Sequence, residues 1–136
     1  MSDRKVSFNE IMNSSIRLKD KVVKTPLLQS SYLNQKLKTN LFLKAENLQT
    51  IGAFKYRGAL NAVLQLPDNI KKIVAWSSGN HAQAVAAAAK ITGREATIIM
   101  PIDSPKAKLE GTGFWGASII KYDRKKEDRE QIGKEI

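Results

Sequence analysis

The sequence predicts an α/β protein built on a parallel β-sheet with crossover helices. Three observations carry that expectation. From residue 71 onward, short β-rich runs alternate with helix-patterned stretches long enough to serve as crossovers. The helical stretches are bounded by Ser, Pro and Gly at the ends where those residues belong. A length of 136 residues, with 42% hydrophobic and 26% charged, suits one ordinary globular domain or a piece of something larger.

The elements are read in chain order. Ser7-Phe8-Asn9-Glu10 has the form of a capping box. Phe8, Met12 and Ile16 follow at four-residue steps, with Ile11 and Leu18 beside them, so residues 8–20 read as an amphipathic helix. Thr25-Pro26-Leu27 forces an extended turn, because a residue before proline is kept out of the helical region. A short helix is expected from Ser31 to about Leu37, and a buried strand over residues 41–45. Gly52-Ala53 breaks the chain before an apolar helix that opens at Lys55 and runs to Leu66, where Pro67-Asp68-Asn69 stops it.

Residues 73–76 then form a strand, and His81 to about Thr92 an alanine-rich helix closed by Gly93. Residues 96–100 are the next strand. Ser104 stands where it would cap a helix whose first position is Pro105. Residues 118–122 are a third strand, and Arg124 to Ile136 starts another helix. Gly111-Thr112-Gly113-Phe114-Trp115-Gly116 spells the dinucleotide fingerprint, which requires a strand before it and a helix after it. Here the order is reversed, so the expectation is a helix ending in a glycine turn with Phe114 and Trp115 packed inward.

Composition removes several function classes. Without cysteine there is no disulfide and no thiolate metal site, and one histidine makes a histidine-rich metal site unsupported. No apolar run approaches the roughly 20 residues that span a bilayer, and the first ten residues hold no apolar signal core. The expectation is a cytoplasmic protein without a membrane partner. A net charge of +10 invites a nucleic-acid reading, but the lysines are dispersed and no aromatics interleave with them, so no nucleic-acid partner is expected.

Two segments carry chemistry. Lys55 lies between Phe54 and Arg57-Gly58-Ala59 at a helix start; partial burial there would disfavour the ammonium, and a neutral amine attacks carbonyl carbon. The plainer reading is a helix-surface lysine, with Arg57 as a surface or ion-pairing residue. Ser77-Ser78-Gly79-Asn80-His81-Ala82-Gln83 follows a strand and opens a helix, a geometry that suits a carboxylate or phosphate. The alternative is a capped βα turn in which Ser78 or Asn80 satisfies the helix start. His81 alone, without a carboxylate partner, fits capping or packing better than base catalysis.

Three stretches, KAENLQTIGAFKYRGA, VAWSSGNHAQAVAAAAK and ATIIMPIDSPKAKLEGTGFWGA, resemble the threonine/serine dehydratase (ammonia-lyase) family of pyridoxal-phosphate enzymes. Thr25-Pro26-Leu27 and Tyr122-Asp123 also sit where that family has them. The resemblance implies the tryptophan-synthase-β-like fold (fold type II) in incomplete form. Residues 1–70 would be the N-terminal part of the large domain and 71–136 a truncated small α/β domain. It implies that Lys55 holds pyridoxal 5′-phosphate as a Schiff base with Phe54 beside the ring, and that Asn80 bonds the pyridoxal 3′-oxygen. Ser77, Ser78, Asn80 and the backbone at His81 would hold the carboxylate of a small amino-acid substrate. Ser78 stands where a racemase of this group has its second base.

The implied reaction turns L-threonine or L-serine into a 2-oxo acid and ammonia. Serine racemisation, β-replacement and a non-catalytic fragment are the alternatives, and the full-length form is expected to be a homo-oligomer. Gly111 and Gly113 fall where the family has better helix formers, so local softness of that helix is expected. The family also has a glycine-rich phosphate loop further along, and no glycine run here matches it. Weak or no cofactor retention, and a truncated, inactive chain, are therefore expected.

Overall fold

The computed structural model describes residues 5–136; residues 1–4, the first part of the segment searched for a signal core, lie outside the described residues. Helix α1 spans Phe8–Leu18 and begins as its sequence dictates. Ser7 Oγ accepts from the Glu10 amide, and the Glu10 carboxylate accepts from the Ser7 N–H at 2.8 Å. Only Leu18 of this helix is buried, while Phe8, Ile11, Met12 and Ile16 stay exposed. Strand β1, Leu27–Leu28, pairs antiparallel with β2, Leu43–Lys44, and α2, Ser31–Leu37, joins them. The strand expected to be buried over 41–45 is thus two exposed residues: it finds only a two-residue partner, so Leu43 keeps an exposed side chain.

After a single 3-10 turn at Glu46–Leu48, Gly52 takes a left-handed φ of 71° that only glycine adopts freely, and its N–H reaches the Gln49 carbonyl at 2.6 Å. That turn launches α3, Lys55–Val63, which buries Tyr56, Ala59, Leu60 and Val63 as one stripe. The helix stops three residues short of the expected Leu66; residues 64–66 close it as a tightened last turn.

The second half has the expected alternation. β3, Lys72–Trp76, leads to α4, Asn80–Ile91; β4, Glu95–Pro101, leads to α5, Lys106–Phe114; and β5 is Ser118–Tyr122. The strands pair parallel in the order β3-β4-β5, with Ile73 beside Ala96 and Ile99 beside Ile120. Period-two alternation sorts the side chains. Ile73, Ala75, Ala96, Ile98, Met100 and Ile119 face a core shared with α3 and α4. On the other face lie Trp76 and Ile99, against which α6, Arg129–Lys134, packs so closely that a Cβ at Gly133 would stand 3.1 Å from the Trp76 ring. Fully burying a side chain such as Leu60, Ile98 or Met100 is worth about 1.5–3 kcal/mol. In α4 the alanines at 82, 84 and 86–89 are all buried, and small side chains let α3, β4 and α5 approach one helix together.

Three expectations in this half need correcting. Ser104 does not cap α5: Pro105 is the cap residue, and the buried Ser104 hydroxyl has no hydrogen-bond partner among the described residues. Phe114 is 72% exposed instead of packed inward; it meets the half-buried Trp115 edge-on, at a ring-centroid separation of 5.3 Å. The final helix is shorter than residues 124–136, because Asp128 accepts from the Glu130 amide and starts it late. The reversed order of the glycine motif holds, with α5 running through residues 111–114, Gly116 turning the chain at φ 82° and β5 following. Gly111 marks a close approach of two helices: a Cβ there would fall 1.8 Å from Gln83 Nε2 on α4.

Candidate active site

The segment that carries Lys55 is anchored by a polar clamp. Arg57 Nε donates to Glu46 Oε2 at 2.9 Å and its Nη2 to Glu46 Oε1 at 2.8 Å, a two-pronged pair that fits guanidinium to carboxylate. The same Nη2 donates to the Val23 carbonyl, and the Thr25 hydroxyl donates to Glu46. Buried Gln49 completes the tie by accepting from the Val23 N–H and donating to the Val23 carbonyl, both at 3.0 Å. The Arg57 hydrogen bond, opposed by burial and helped by Thr25, holds the Glu46 carboxyl down at about 2. Arg57 is the ion-pairing residue expected; Glu46, Thr25 and Gln49 form a network that the residue pattern did not disclose.

Lys55, the first residue of α3, is exposed, which corrects the expected partial burial. Its Nζ lies 5.3 Å from the centre of the Phe54 ring, within cation–π range. Phe54, Lys55 and His81 line one open cleft of about 480 Å³, whose other walls are apolar residues of α3 and the turn after it, β3 and α4. Burial lowers the pKa of His81, and the nearby Lys55 charge lowers it further. Thus Lys55 at the start of α3 and His81 in the first turn of α4, 26 residues apart in sequence, meet at one site.

The bend from Ser77 to Asn80 adjoins that cleft at His81, but Ser77, Ser78 and Asn80 are not among the cleft's walls. Ser77 Oγ accepts from the Gly79 N–H at 3.2 Å. No side chain caps α4, so neither Ser78 nor Asn80 satisfies the helix start. The first amides of α4 therefore have no intrahelical carbonyl and present a partly positive end. Asn80 is occupied from another direction: Lys108 Nζ of α5 donates to its Oδ1. Nothing in the residue pattern pointed to Lys108, since the meeting depends on the packing of α5 against α4.

An α/β sheet with a lysine and an uncapped helix start brought together suits an aldehyde-bearing anionic cofactor. The comparisons name the family. Residues 18–136 match the pyridoxal-phosphate dependent enzyme family, and the chain belongs to it. The chain is 48% identical over 132 residues to L-threo-3-hydroxyaspartate ammonia-lyase of Saccharomyces cerevisiae, covering 96% of this chain and 40% of that protein. It is 48% identical over 140 residues to serine racemase of Schizosaccharomyces pombe, covering all of this chain and 43% of that one. The solved T.th. threonine deaminase superposes with a TM-score of 0.85 at 39% identity, covering 96% of this chain and 41% of its own. The chain thus spans about two-fifths of the length of these relatives.

The architecture is that of tryptophan-synthase-β-like pyridoxal-phosphate enzymes, and the family's cofactor is pyridoxal phosphate. The residues fit it: the cleft lies within the roughly 300–1,000 Å³ of small-molecule sites, with one amine and one aromatic ring among its walls. Among the described residues no cluster of metal-ligating side chains occurs, and no helix is long and apolar enough to cross a membrane.

Proposed function

We propose that this chain is the lysine-bearing portion of a lyase that converts L-threonine, L-serine or a related β-hydroxy amino acid into a 2-oxo acid and ammonia. The observation that supports it best is that Lys55, Phe54 and His81 share one cleft beside the serine–asparagine bend. In this reading residues 1–70 belong to the large domain and 71–136 to the small one, and the full-length form is a homo-oligomer acting on a small amino acid.

When bound, pyridoxal phosphate supplies an aldehyde that amines join reversibly and a ring that takes up charge from Cα. The rest falls to the chain. Lys55 Nζ would hold the cofactor and, when free, would take the Cα proton. Phe54 would lie beside the cofactor ring, and Asn80 would donate to its 3′-oxygen. Ser77, Ser78, Asn80 and the His81 amide grip the substrate carboxylate at the uncapped start of α4 and so fix which Cα bond faces the lysine.

A second reading, serine racemisation, is favoured by the 48% identity to the Schizosaccharomyces pombe racemase; Ser78 would then work on the face opposite Lys55. The test is to add pyridoxal phosphate and L-threonine, L-serine or L-threo-3-hydroxyaspartate, then follow 2-oxo acid and ammonia. Cofactor absorbance lost in Lys55→Ala, with 2-oxo acid formed, supports the lyase. Racemised serine without 2-oxo acid supports the second reading. Cofactor bound equally well by Lys55→Ala sinks both.

A further inference from the structure

Asn80 opens α4, and Lys108 lies in the first turn of α5. An ammonium has donors and no acceptor, so Lys108 can engage only the oxygen of the Asn80 amide. The amide's N–H₂ arm makes no bond to Lys108, because an ammonium cannot accept one. Lys108 is half-buried and forms no ion pair among the described residues, so this amide oxygen is its side chain's sole hydrogen-bond partner there. Its carbonyl accepts from the buried Thr112 hydroxyl at 2.8 Å, which ties the turn together.

The distance between the helices is set three residues further along each. Residues three apart share a helix face. Gln83 follows Asn80 by three and Gly111 follows Lys108 by three, and Gln83 occupies the space that a side chain at 111 would need. The missing Cβ is what lets α5 come near enough for Lys108 to reach Asn80.

We propose that Lys108 is a positioning residue: it captures the oxygen of Asn80 and presents the amide's N–H₂ group as a fixed donor for an oxyanion of the bound cofactor. An ammonium on the oxygen also polarises the amide and strengthens its N–H donors. The proposal rests on the reading of Asn80 as a cofactor contact.

The test uses the ¹⁵N-labelled 136-residue chain with Lys108→Met and Lys108→Arg, and two readouts. One is the NMR signal of the Asn80 side-chain N–H₂ pair, identified by its loss in Asn80→Asp. The other is titration with pyridoxal phosphate. In Lys108→Met the Asn80 pair moves to the position of a solvated amide while most backbone signals stay, and affinity falls about tenfold, as for one charge-assisted hydrogen bond. Lys108→Arg restores both, which a merely space-filling role for Lys108 would not require. An Asn80 pair unmoved in Lys108→Met overturns the proposal. So does a moved pair with unchanged cofactor affinity. If the unmodified chain binds no cofactor, the unmatched phosphate loop accounts for it, and the NMR comparison alone decides whether Lys108 orients Asn80.

Discussion

Replacing Glu46 by Gln keeps the shape of the Arg57 clamp and removes its charge. In the folded protein the Glu46 carboxyl is held at about 2, against an ordinary value of 4.5. A folded-state value below the unfolded one means that the unfolded chain binds the proton more readily. The carboxylate therefore contributes stability above pH ~4.5, and that contribution is lost as pH falls toward ~2. By linkage the full contribution at neutral pH is of order 3 kcal/mol. Some solvent reaches the pair, with side-chain exposures of 30% for Arg57 and 18% for Glu46, so about 2 kcal/mol is expected.

The assay is urea unfolding of the unmodified chain and Glu46→Gln at several pH values. Glu46→Gln should be less stable by about 2 kcal/mol at pH 7, and by about two-fifths of that at pH 3. Other carboxylates titrate alike in both proteins, so they cancel in the difference. A deficit of the same size at pH 7 and pH 3 would refute the linkage argument, because it would show that the charge of Glu46 is not what the clamp uses.

His81 titrates below the ordinary imidazole range through burial first and the Lys55 charge second, so Lys55→Met should raise its NMR midpoint part of the way back; an unmoved midpoint would separate the two groups in space. The same depression makes the folded state resist protonation at His81, so its contribution to stability declines as pH falls below ~6.5. Gly111→Ala gains about 1 kcal/mol of helix propensity but forces the Gln83 amide aside, so the two effects should nearly offset; a double-mutant cycle with Gln83→Ala should show coupling of at least ~0.5 kcal/mol. Ser104→Ala removes a buried hydroxyl with no partner among the described residues and should raise the urea-unfolding free energy by about 0.5–1 kcal/mol.

Local signals in the sequence are reliable where the physics is local. The capping box at Ser7 and Glu10, the extent of α2, the strand at residues 118–122 and the backward order around Gly116 can all be read from neighbours within a few residues. What failed depends on partners far along the chain. Leu43 looks like a core strand residue, yet its fate is set by whether another strand lies beside it. Ser104 has a cap's position but not its geometry, and Phe114 has a core residue's chemistry on the outer side of its turn.

The candidate site divides in the same way. Lys55 and the bend at Ser77 announce themselves by residue type, and family resemblance joins them. Glu46 reaching Arg57 is decided by the turn at Gly52, and Lys108 reaching Asn80 by a glycine that makes room. Neither contact leaves a periodic trace.

The alanines of α4 act as a shim whose thickness cannot grow. Their methyl groups sit between α3, β4 and α5, so a longer side chain at Ala86 or Ala88 has nowhere to expand except by tilting the rod. Such a tilt would be felt at its far tip, where Asn80 and His81 stand. Variants in the middle of this helix should therefore disturb ligand capture some turns away, without touching any group that does chemistry.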